Sequence, residues 1–273
     1  MTAGLDVHAL QGLRATRRDL DLIRRRIRRH LDEHEGYVAF SGGKDSLVVL
    51  DLVRQVAPDA VVMFFDSGLE FPETYAYLEQ LTALWSLNLH VIPARMTTLE
   101  VLAGNGGWDH RALDLGVPNL HQVLIVEPAA IGHRAHGPGE LWGVRAQESR
   151  GRAAGYVNAL RSATCRCTTT CTTQQRRAQH GGLISRVDGT VAYGPVWDWH
   201  TDEIWGHISR NQLPVNPVYD KLRRLGAPEH FLRVSAMIDG SRLEEGRITW
   251  LRRGWPTLFE ELATVLPRLR EFV

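Results

Sequence analysis

Six consecutive residues, Ser41-Gly42-Gly43-Lys44-Asp45-Ser46, have the types and spacing needed to hold a phosphate group. Glycines let a backbone turn tightly and approach a ligand closely. Successive main-chain N–H groups then line one concavity, and the positive end of a following helix adds to their field. Lys44 supplies a compact point charge, and the two serines supply hydroxyl donors. The hexapeptide therefore predicts a site for phosphate or pyrophosphate.

The role of Asp45 has two interpretations: it helps to hold Mg²⁺, or it fixes the loop. The loop differs from the Walker A loop, which has a glycine five residues before its Gly-Lys pair. Val38 occupies that place here. The alternative for the whole hexapeptide is an ordinary glycine turn. Its flanks favour the phosphate site, because a strand-like apolar run precedes it and a helical pattern follows it.

Alternating strand and helix patterns surround the loop. Leu20, Ile23, Ile27 and Leu31 recur at helical spacing within residues 16–35. Strands are predicted at 37–40, 60–65 and 89–93, and helices at 47–53 and 72–85. This alternation is typical of a doubly wound parallel sheet, in which ligands bind at the carboxyl ends of strands. Asp66-Ser67-Gly68 follows the second strand, so we expect it near the same ligand.

The second half of the sequence is less regular. A fourth strand is predicted at 141–145, a polar flap or excursion at 146–190, a short helix at 201–209 and a C-terminal helix at 259–272, interrupted near Pro267. We divide the chain into an N-terminal helical segment (1–36), a nucleotide-binding domain (37–220) and a C-terminal helical extension (221–273).

Four segments, in order, resemble one known family. The loop is similar to that of the PP-loop ATP pyrophosphatases, in the adenine nucleotide alpha hydrolase superfamily. Its relatives, the phosphoadenosine phosphosulfate (PAPS) reductases, carry D-[TS]-G-x-x-F-P-E-T, G-x-R-x-x-[EQ]-S and PL-x-D-W … NP-L-Y-D stretches. The corresponding segments here are Asp66 to Thr74, Gly143 to Ser149, and Pro195 to Trp199 with Asn216 to Asp220.

The resemblance implies an α/β fold with a doubly wound, mostly parallel five-stranded sheet, helices on both faces and a C-terminal helical extension. It implies that Lys44, Asp45 and Arg145 are catalytic, with Arg145 pairing with a phosphate or sulfate oxygen. It also implies a nucleotide site, with ATP or a PAPS-type adenine nucleotide as ligand and Mg²⁺ as its companion. The implied nucleotide-binding residues are Ser41, Gly42, Gly43, Lys44, Asp45, Ser46, Asp66, Ser67, Gly68, Gly143, Arg145, Glu148 and Ser149.

The sequence departs from the reductases in its cysteines. Those enzymes attack sulfur with a cysteine of a C-terminal E-C-G-x-H-type motif, whereas no cysteine follows Cys171 here. Three hypotheses remain. The first and favoured one is an ATP-dependent adenylyl transferase that releases pyrophosphate and activates an acceptor, in sulfur or nucleic-acid modification. The second is a sulfonucleotide reductase or sulfotransferase with non-standard cysteines. The third is an inactive nucleotide-binding accessory module of a DNA-modification or CRISPR system.

The only cysteines, Cys165, Cys167 and Cys171, lie close together. Three thiolates at this spacing could hold zinc, or an iron–sulfur cluster with one open iron. The tight C-x-C spacing lacks the usual C-x₂-C pair, so we favour a reduced thiol-bearing loop without metal.

Composition bounds the partners. The chain has 273 residues, a formal net charge of +1 and no apolar run of membrane-spanning length, so we expect a cytoplasmic protein without a membrane partner. Arginines cluster at 24–29 and at 161–186, as solvated helix faces or as contacts to a polyanion. An unidentified acceptor, a nucleic-acid or protein partner and a homo-oligomer all stay open.

Overall fold

The computed structural model describes residues 18–106, 116, 118–163, 172–235, 237–238 and 247–273. It divides into two compact units that interleave along the chain. Unit 1 comprises Met1–Phe40, Lys44–Met63 and Gly132–Val215. Unit 2 comprises Ser41–Gly43, Phe64–Ile131 and Asn216–Val273. The bounds of these units differ from the three sequence segments predicted above.

The helices and strands alternate through most of the described chain. In the first half they are α1 (Leu20–His34), β1 (Tyr37–Ala39), α2 (Lys44–Arg54), β2 (Val61–Asp66), α3 (Pro72–Trp85), β3 (Asn88–Pro93), α4 (Thr98–Gly104), a π-helix (Gln122–Val126) and α5 (Glu127–His136). In the second half they are β4 (Gly139–Leu141), a 3₁₀ turn (Ala146–Glu148), α6 (Arg150–Ser162), α7 (Thr173–His180), β5 (Leu183–Ser185), β6 (Val191–Tyr193), α8 (Thr201–Arg210), α9 (Val218–Arg224), a 3₁₀ turn (Glu229–Phe231), α10 (Arg247–Gly254), α11 (Pro256–Val265) and a 3₁₀ segment (Pro267–Phe272).

The sheet has six strands in the order β3-β2-β1-β4-β6-β5. The β1–β2, β1–β4 and β4–β6 pairs are parallel, and the β5–β6 pair is antiparallel. The α/β, mostly parallel fold is confirmed, but the count of five strands is wrong. The extra strand is β5, which forms a hairpin with β6 inside the stretch that we predicted to be a flap.

The strand order reverses direction between β1 and β4. From β1 the chain adds β2 and β3 on one side, and then returns to place β4 on the other side. Tyr37 pairs with Glu140 and Val38 with Leu141, so the two strands end side by side. Such a switch point leaves room for a ligand where the two outgoing loops separate. The loops that leave β1 and β4 carry two of the four motifs.

Helix α1 shows why the chain reaches β1 at a defined point. The Asp19 carboxylate accepts a hydrogen bond from the N–H of Leu22 at 2.9 Å and caps its first turn. At the other end Gly36 has a φ of +115°. A Cβ atom there would lie 1.9 Å from the carbonyl oxygen of Gly139, at the start of β4. Only glycine fits this close approach of two backbones.

Helix α2 is buried from Ser46 to Val53, which is why its sequence is apolar on all sides. The exception, Asp51, lies against α8. Its carboxylate lies 2.8 Å from Nε2 of His207, and it accepts from the amide of Gln55 at 3.0 Å. This pair satisfies two polar groups inside the core of unit 1 and fixes the helix that follows the phosphate loop.

Several element predictions are confirmed and two are wrong. Helix α3 runs over the predicted residues, with Pro72 at its first position, and the C-terminal helix stops before Pro267. The strand predicted at 141–145 is wrong, because β4 ends at Leu141. The described part of the predicted flap folds as α6, α7 and the β5–β6 hairpin. Within the described residues, no helix combines the length and apolarity needed to cross a bilayer.

Candidate functional site

Asp45, in the first turn of α2, lies between two cationic groups. The ammonium of Lys44 donates to Oδ2 at 2.9 Å, and Nε of Arg145 donates to Oδ1 at 2.6 Å. The side chains of all three residues are mostly buried, with exposed fractions of 12% for Lys44, 16% for Asp45 and 3% for Arg145. Because charge-assisted bonds strengthen away from water, this triad holds the start of α2 against the loop that follows β4.

The remaining donors of Arg145 are also used. Its Nη1 donates to Oε1 of Gln147 at 2.9 Å and to the carbonyl oxygen of Trp199 at 3.0 Å. The same Gln147 oxygen accepts from the N–H of Thr201 at 2.9 Å. The resemblance implied that Arg145 pairs with a ligand oxygen. In this structure its guanidinium positions Asp45 instead, with Gln147 as its brace.

Gly143 shows how closely the two loops pack. A Cβ atom on this residue would lie 2.6 Å from the backbone nitrogen of Ser46 and 2.8 Å from the carbonyl carbon of Asp45. Any side chain would therefore push the first turn of α2 away. The glycine of the third motif is needed for backbone packing at the switch point, beside the N-terminal end of α2.

Glu148 and Ser149 complete this part of unit 1. One carboxylate oxygen of Glu148 accepts from the N–H of Arg145 at 2.9 Å and also contacts the guanidinium of Arg152. The Ser149 hydroxyl accepts from the N–H of Arg152 at 3.2 Å and caps α6. Both residues thus order the segment that presents Arg145.

The first half of the loop belongs to unit 2. Gly42 has a φ of +71°, a left-handed conformation that suits glycine. The amide of Asn216 donates to the Gly42 carbonyl oxygen at 3.5 Å and to the hydroxyl of Thr74 at 3.0 Å. Asn216 is 1% exposed and Thr74 is fully buried. Asn216 and Thr74 come from two of the four motifs and support the turn at Gly42.

The segment after β2 forms a second polar group in unit 2. Oδ1 of Asp66 accepts from the N–H of Gly68 at 2.9 Å and from the hydroxyl of Tyr75 at 2.8 Å. Gly68 has a φ of +67°, and a Cβ there would lie 2.4 Å from the methyl carbon of Thr97. The carbonyl oxygen of Ser67 accepts from the N–H of Thr98. These contacts hold Asp66 at the carboxyl end of β2.

Glu70 is a buried acid beside this segment. The hydroxyl of Ser67 donates to its Oε1 at 2.7 Å, and its Oε2 has no hydrogen-bond partner among the described residues. Burial raises the pKa of Glu70 to about 7, and repulsion by Asp66 adds to the shift, while the Ser67 hydrogen bond opposes it. The residue therefore favours its protonated form under mildly acidic conditions.

The Glu70→Gln variant is expected to change how stability depends on pH. Because the folded-state pKa is raised, the stability that protonated Glu70 contributes is complete below its ordinary value of 4.5 and is lost as the pH rises through about 7. Glutamine does not titrate. Relative to the variant, the wild type should lose up to about 1.4 kcal/mol per pH unit in this window. Urea unfolding of both proteins across this range measures the difference, and parallel curves would show that Glu70 titrates normally.

The metal predictions meet different parts of the structure. Both carboxylate oxygens of Asp45 are engaged by cationic groups, so this residue does not offer the open carboxylate that a Mg²⁺ ligand needs. The described residues contain no group of three or more His, Cys, Asp or Glu side chains suited to a metal ion. Cys165, Cys167 and Cys171 lie outside the described residues, so the zinc and iron–sulfur hypotheses stay predictions.

The structure thus brings together two sets of the predicted site residues. Unit 1 joins Lys44, Asp45 and Ser46 to Gly143, Arg145, Glu148 and Ser149, and unit 2 contains Ser41 to Gly43 and Asp66 to Gly68. Three supporting residues were not predicted: Gln147, Thr74 and Asn216. Each lies in a motif that carries the resemblance, so motif position was a signal, but no role followed from residue type alone.

Comparisons with known proteins agree on one family. Residues 35–230 match the phosphoadenosine phosphosulfate reductase domain. The chain is 27% identical over 182 residues to a phosphoadenosine 5′-phosphosulfate reductase of Thiocapsa roseopersicina, covering 66% of this chain and 65% of that protein. A reductase of Alkalilimnicola ehrlichii is 26% identical over 219 residues, covering 79% and 77%. The chain thus spans slightly less than two thirds of the Thiocapsa relative.

Solved structures with similar folds give weaker matches. A phosphate complex of the PAPS reductase from Candida auris has a TM-score of 0.44 at 20% identity, covering 70% of this chain and 77% of that one. An FMN adenylyltransferase of Candida glabrata, bound to FMN and an ATP analogue, has a TM-score of 0.45 at 14% identity, covering 80% and 64%.

Proposed function

Because the chain belongs to the phosphoadenosine phosphosulfate reductase domain family, we propose that it binds an adenine nucleotide through residues 41–46 and uses ATP to activate an acceptor by adenylyl transfer. The observation that carries this proposal is the Lys44–Asp45–Arg145 triad, which fixes the loop in advance of the ligand. A loop that is already ordered spends less binding energy on its own ordering.

In the proposed reaction an acceptor oxygen attacks the α-phosphorus of ATP. A bond forms between that oxygen and phosphorus, and the bond from phosphorus to the bridging oxygen of the β-phosphate breaks. Pyrophosphate leaves with the electron pair, and an acceptor hydroxyl gives its proton to a base. Negative charge grows on the leaving group, where the Lys44 ammonium and the N-terminus of α2 stabilise it.

The backbone around Gly42 supports the same assignment. A left-handed residue immediately before a helix turns successive N–H groups toward one side and forms an anion-binding concavity. Asp45 carries one negative charge between the two positive charges of Lys44 and Arg145. The triad therefore keeps a net charge of +1, and it suits an anionic group.

The cysteine distribution favours adenylyl transfer over sulfonucleotide reduction. Residues 172–273 contain no cysteine, so this part of the chain has no thiolate to attack the sulfur of a sulfonucleotide. Sulfonucleotide reduction stays the second candidate, because the family match names a reductase domain. Its nucleophile would have to come from Cys165, Cys167 or Cys171.

The test is to incubate the purified protein with ATP and candidate acceptors and to quantify pyrophosphate and AMP. Pyrophosphate release that depends on the acceptor supports adenylyl transfer. Sulfite release from PAPS or from its 3′-dephosphorylated form, abolished by a Cys171→Ser substitution, would instead establish the second candidate. Tight nucleotide binding without either product would identify a binding module that lacks turnover.

A further inference from the structure

Positive charge is concentrated in one stretch of the sequence. Residues 146–186 contain seven arginines and a single acidic residue, Glu148, which gives a net charge of +6. The whole chain carries only +1, so the remaining residues together carry −5. The described part of this stretch folds as α6, α7 and β5 within unit 1. This segregation of charge is larger than a neutral solvated surface requires.

Part of this charge is already neutralised by carboxylates. Arg177 donates to Asp198 at 2.9 Å and stacks on the ring of Trp197, and Arg186 donates to Glu140 at 2.7 Å. By contrast, Arg150, Arg161 and Arg176 form no ion pair with the described residues. These three arginines are therefore the ones available to an external anion.

The spacing of two of them indicates an extended ligand. Arg150 and Arg161 are both exposed, and they lie at opposite ends of α6. Eleven residues correspond to three turns, so both side chains lie on one helix face, about 16 Å apart. The exposed Val157 lies on the same face. A single phosphate group is too small to reach both guanidinium groups.

Helix α1 adds positive charge near the end of α7. A guanidinium nitrogen of Arg26 donates to the carbonyl oxygen of Gly181, immediately after α7. The pKa of His180 is lowered by burial and then by its positive neighbours Arg26, Arg29 and Arg176. The Nε atom of Arg176 and Nε2 of His180 have no hydrogen-bond partner among the described residues. An acceptor-rich anion would satisfy both the charge and the unused nitrogen atoms.

We propose that the basic region, defined as α6 and α7 together with Arg26 and Arg29 of α1, binds the phosphodiester backbone of a nucleic acid. A nucleic acid offers what this region lacks, a regular series of phosphates over a length greater than one side chain. If the adenylyl transfer proposed above is correct, on which this last step rests, the nucleic acid is the acceptor that becomes activated.

Binding is tested by fluorescence anisotropy with labelled oligonucleotides of about 20 residues, as single-stranded DNA, duplex DNA and RNA, over a series of NaCl concentrations. The test variant replaces Arg150, Arg161 and Arg176 by glutamine. We expect it to lose affinity about tenfold or more, and to reduce the slope of log affinity against log salt by about two units for a single strand.

A matched control variant replaces Arg224, Arg252 and Arg268 of unit 2 by glutamine, which removes the same net charge from exposed positions. It should bind oligonucleotides like the wild type. Equal losses in the two variants, or no salt-dependent binding by the wild type, would overturn the proposal. Equally tight binding of polyglutamate would also overturn it, because that result indicates an acidic protein partner.

Nucleotide binding separates this inference from the proposed function. Calorimetry with ATP should give the same affinity for the arginine variant and the wild type. If oligonucleotides do not bind while ATP binds, only the nucleic-acid proposal fails. If oligonucleotides bind while ATP neither binds nor releases pyrophosphate, the adenylyl-transfer proposal fails and the basic region stands.

Discussion

Replacing Lys44 by alanine is expected to lower the rate of pyrophosphate release by about 100-fold or more, the usual cost of removing one group that stabilises a developing anion. The ammonium stands at the first position of α2, where the helix dipole has the same sign. Its removal leaves Asp45 paired only with Arg145. The measurement is pyrophosphate release at saturating ATP, together with the affinity for ATP by calorimetry.

The chain offers an unusually clean control for this experiment, because its only other lysine is Lys221. Lys221 pairs with Glu73 at 2.7 Å and lies over the ring of Trp255 in unit 2. The Lys221→Ala variant should keep the wild-type rate, and Lys44→Arg should recover little activity, because a planar guanidinium does not reproduce a compact ammonium. A Lys44→Ala protein that is folded and fully active would refute the assigned role of the loop.

Replacing Arg145 by alanine is expected to lower the free energy of unfolding by about 3 kcal/mol, the cost of breaking a buried ion pair from one side. The substitution deprives Asp45, Gln147 and the Trp199 carbonyl oxygen of their donor. Because the first turn of α2 then loses its brace, ATP affinity should fall as well. Urea unfolding and calorimetry measure the two effects.

An exposed arginine provides the comparison for this variant. Arg177 pairs with Asp198 but has a side chain that is 47% exposed, so Arg177→Ala should cost less than about 1 kcal/mol. Asp45→Asn should be strongly non-additive with Arg145→Ala, because each substitution removes the same interaction. If Arg145→Ala costs no more than Arg177→Ala, the triad does not hold the loop.

Local patterns were sufficient for much of the fold. The apolar runs before the loop and before Asp66 are strands, and Pro72 begins a helix at the expected residue. These features depend on hydrophobic periodicity and on backbone preferences that each residue type carries by itself. The parallel, switch-point topology followed from the same alternation of elements.

The errors have a common cause, which is pairing between segments distant in sequence. The strand predicted at 141–145 ends at Leu141 because Gly143 packs on the backbone of Ser46, and nothing local to Gly143 indicates that contact. Likewise, Arg145 has the type of a ligand-binding residue, but its partners include Asp45, one hundred positions earlier in the chain. Asn216 supports Gly42 over a still longer separation.

The pairing of β1 with β4 also sets an order of events during synthesis. Tyr37 has its partner in Glu140, which is added to the chain 103 residues later. At a ribosomal speed of about 5–20 residues per second, a growing chain carries the phosphate loop for roughly 5–20 s before β4 exists. Until then Gly143 and Arg145 are absent, and a nascent chain has no completed grip on nucleotide. Ligand-assisted folding must therefore begin late, after more than half of the polypeptide has been translated.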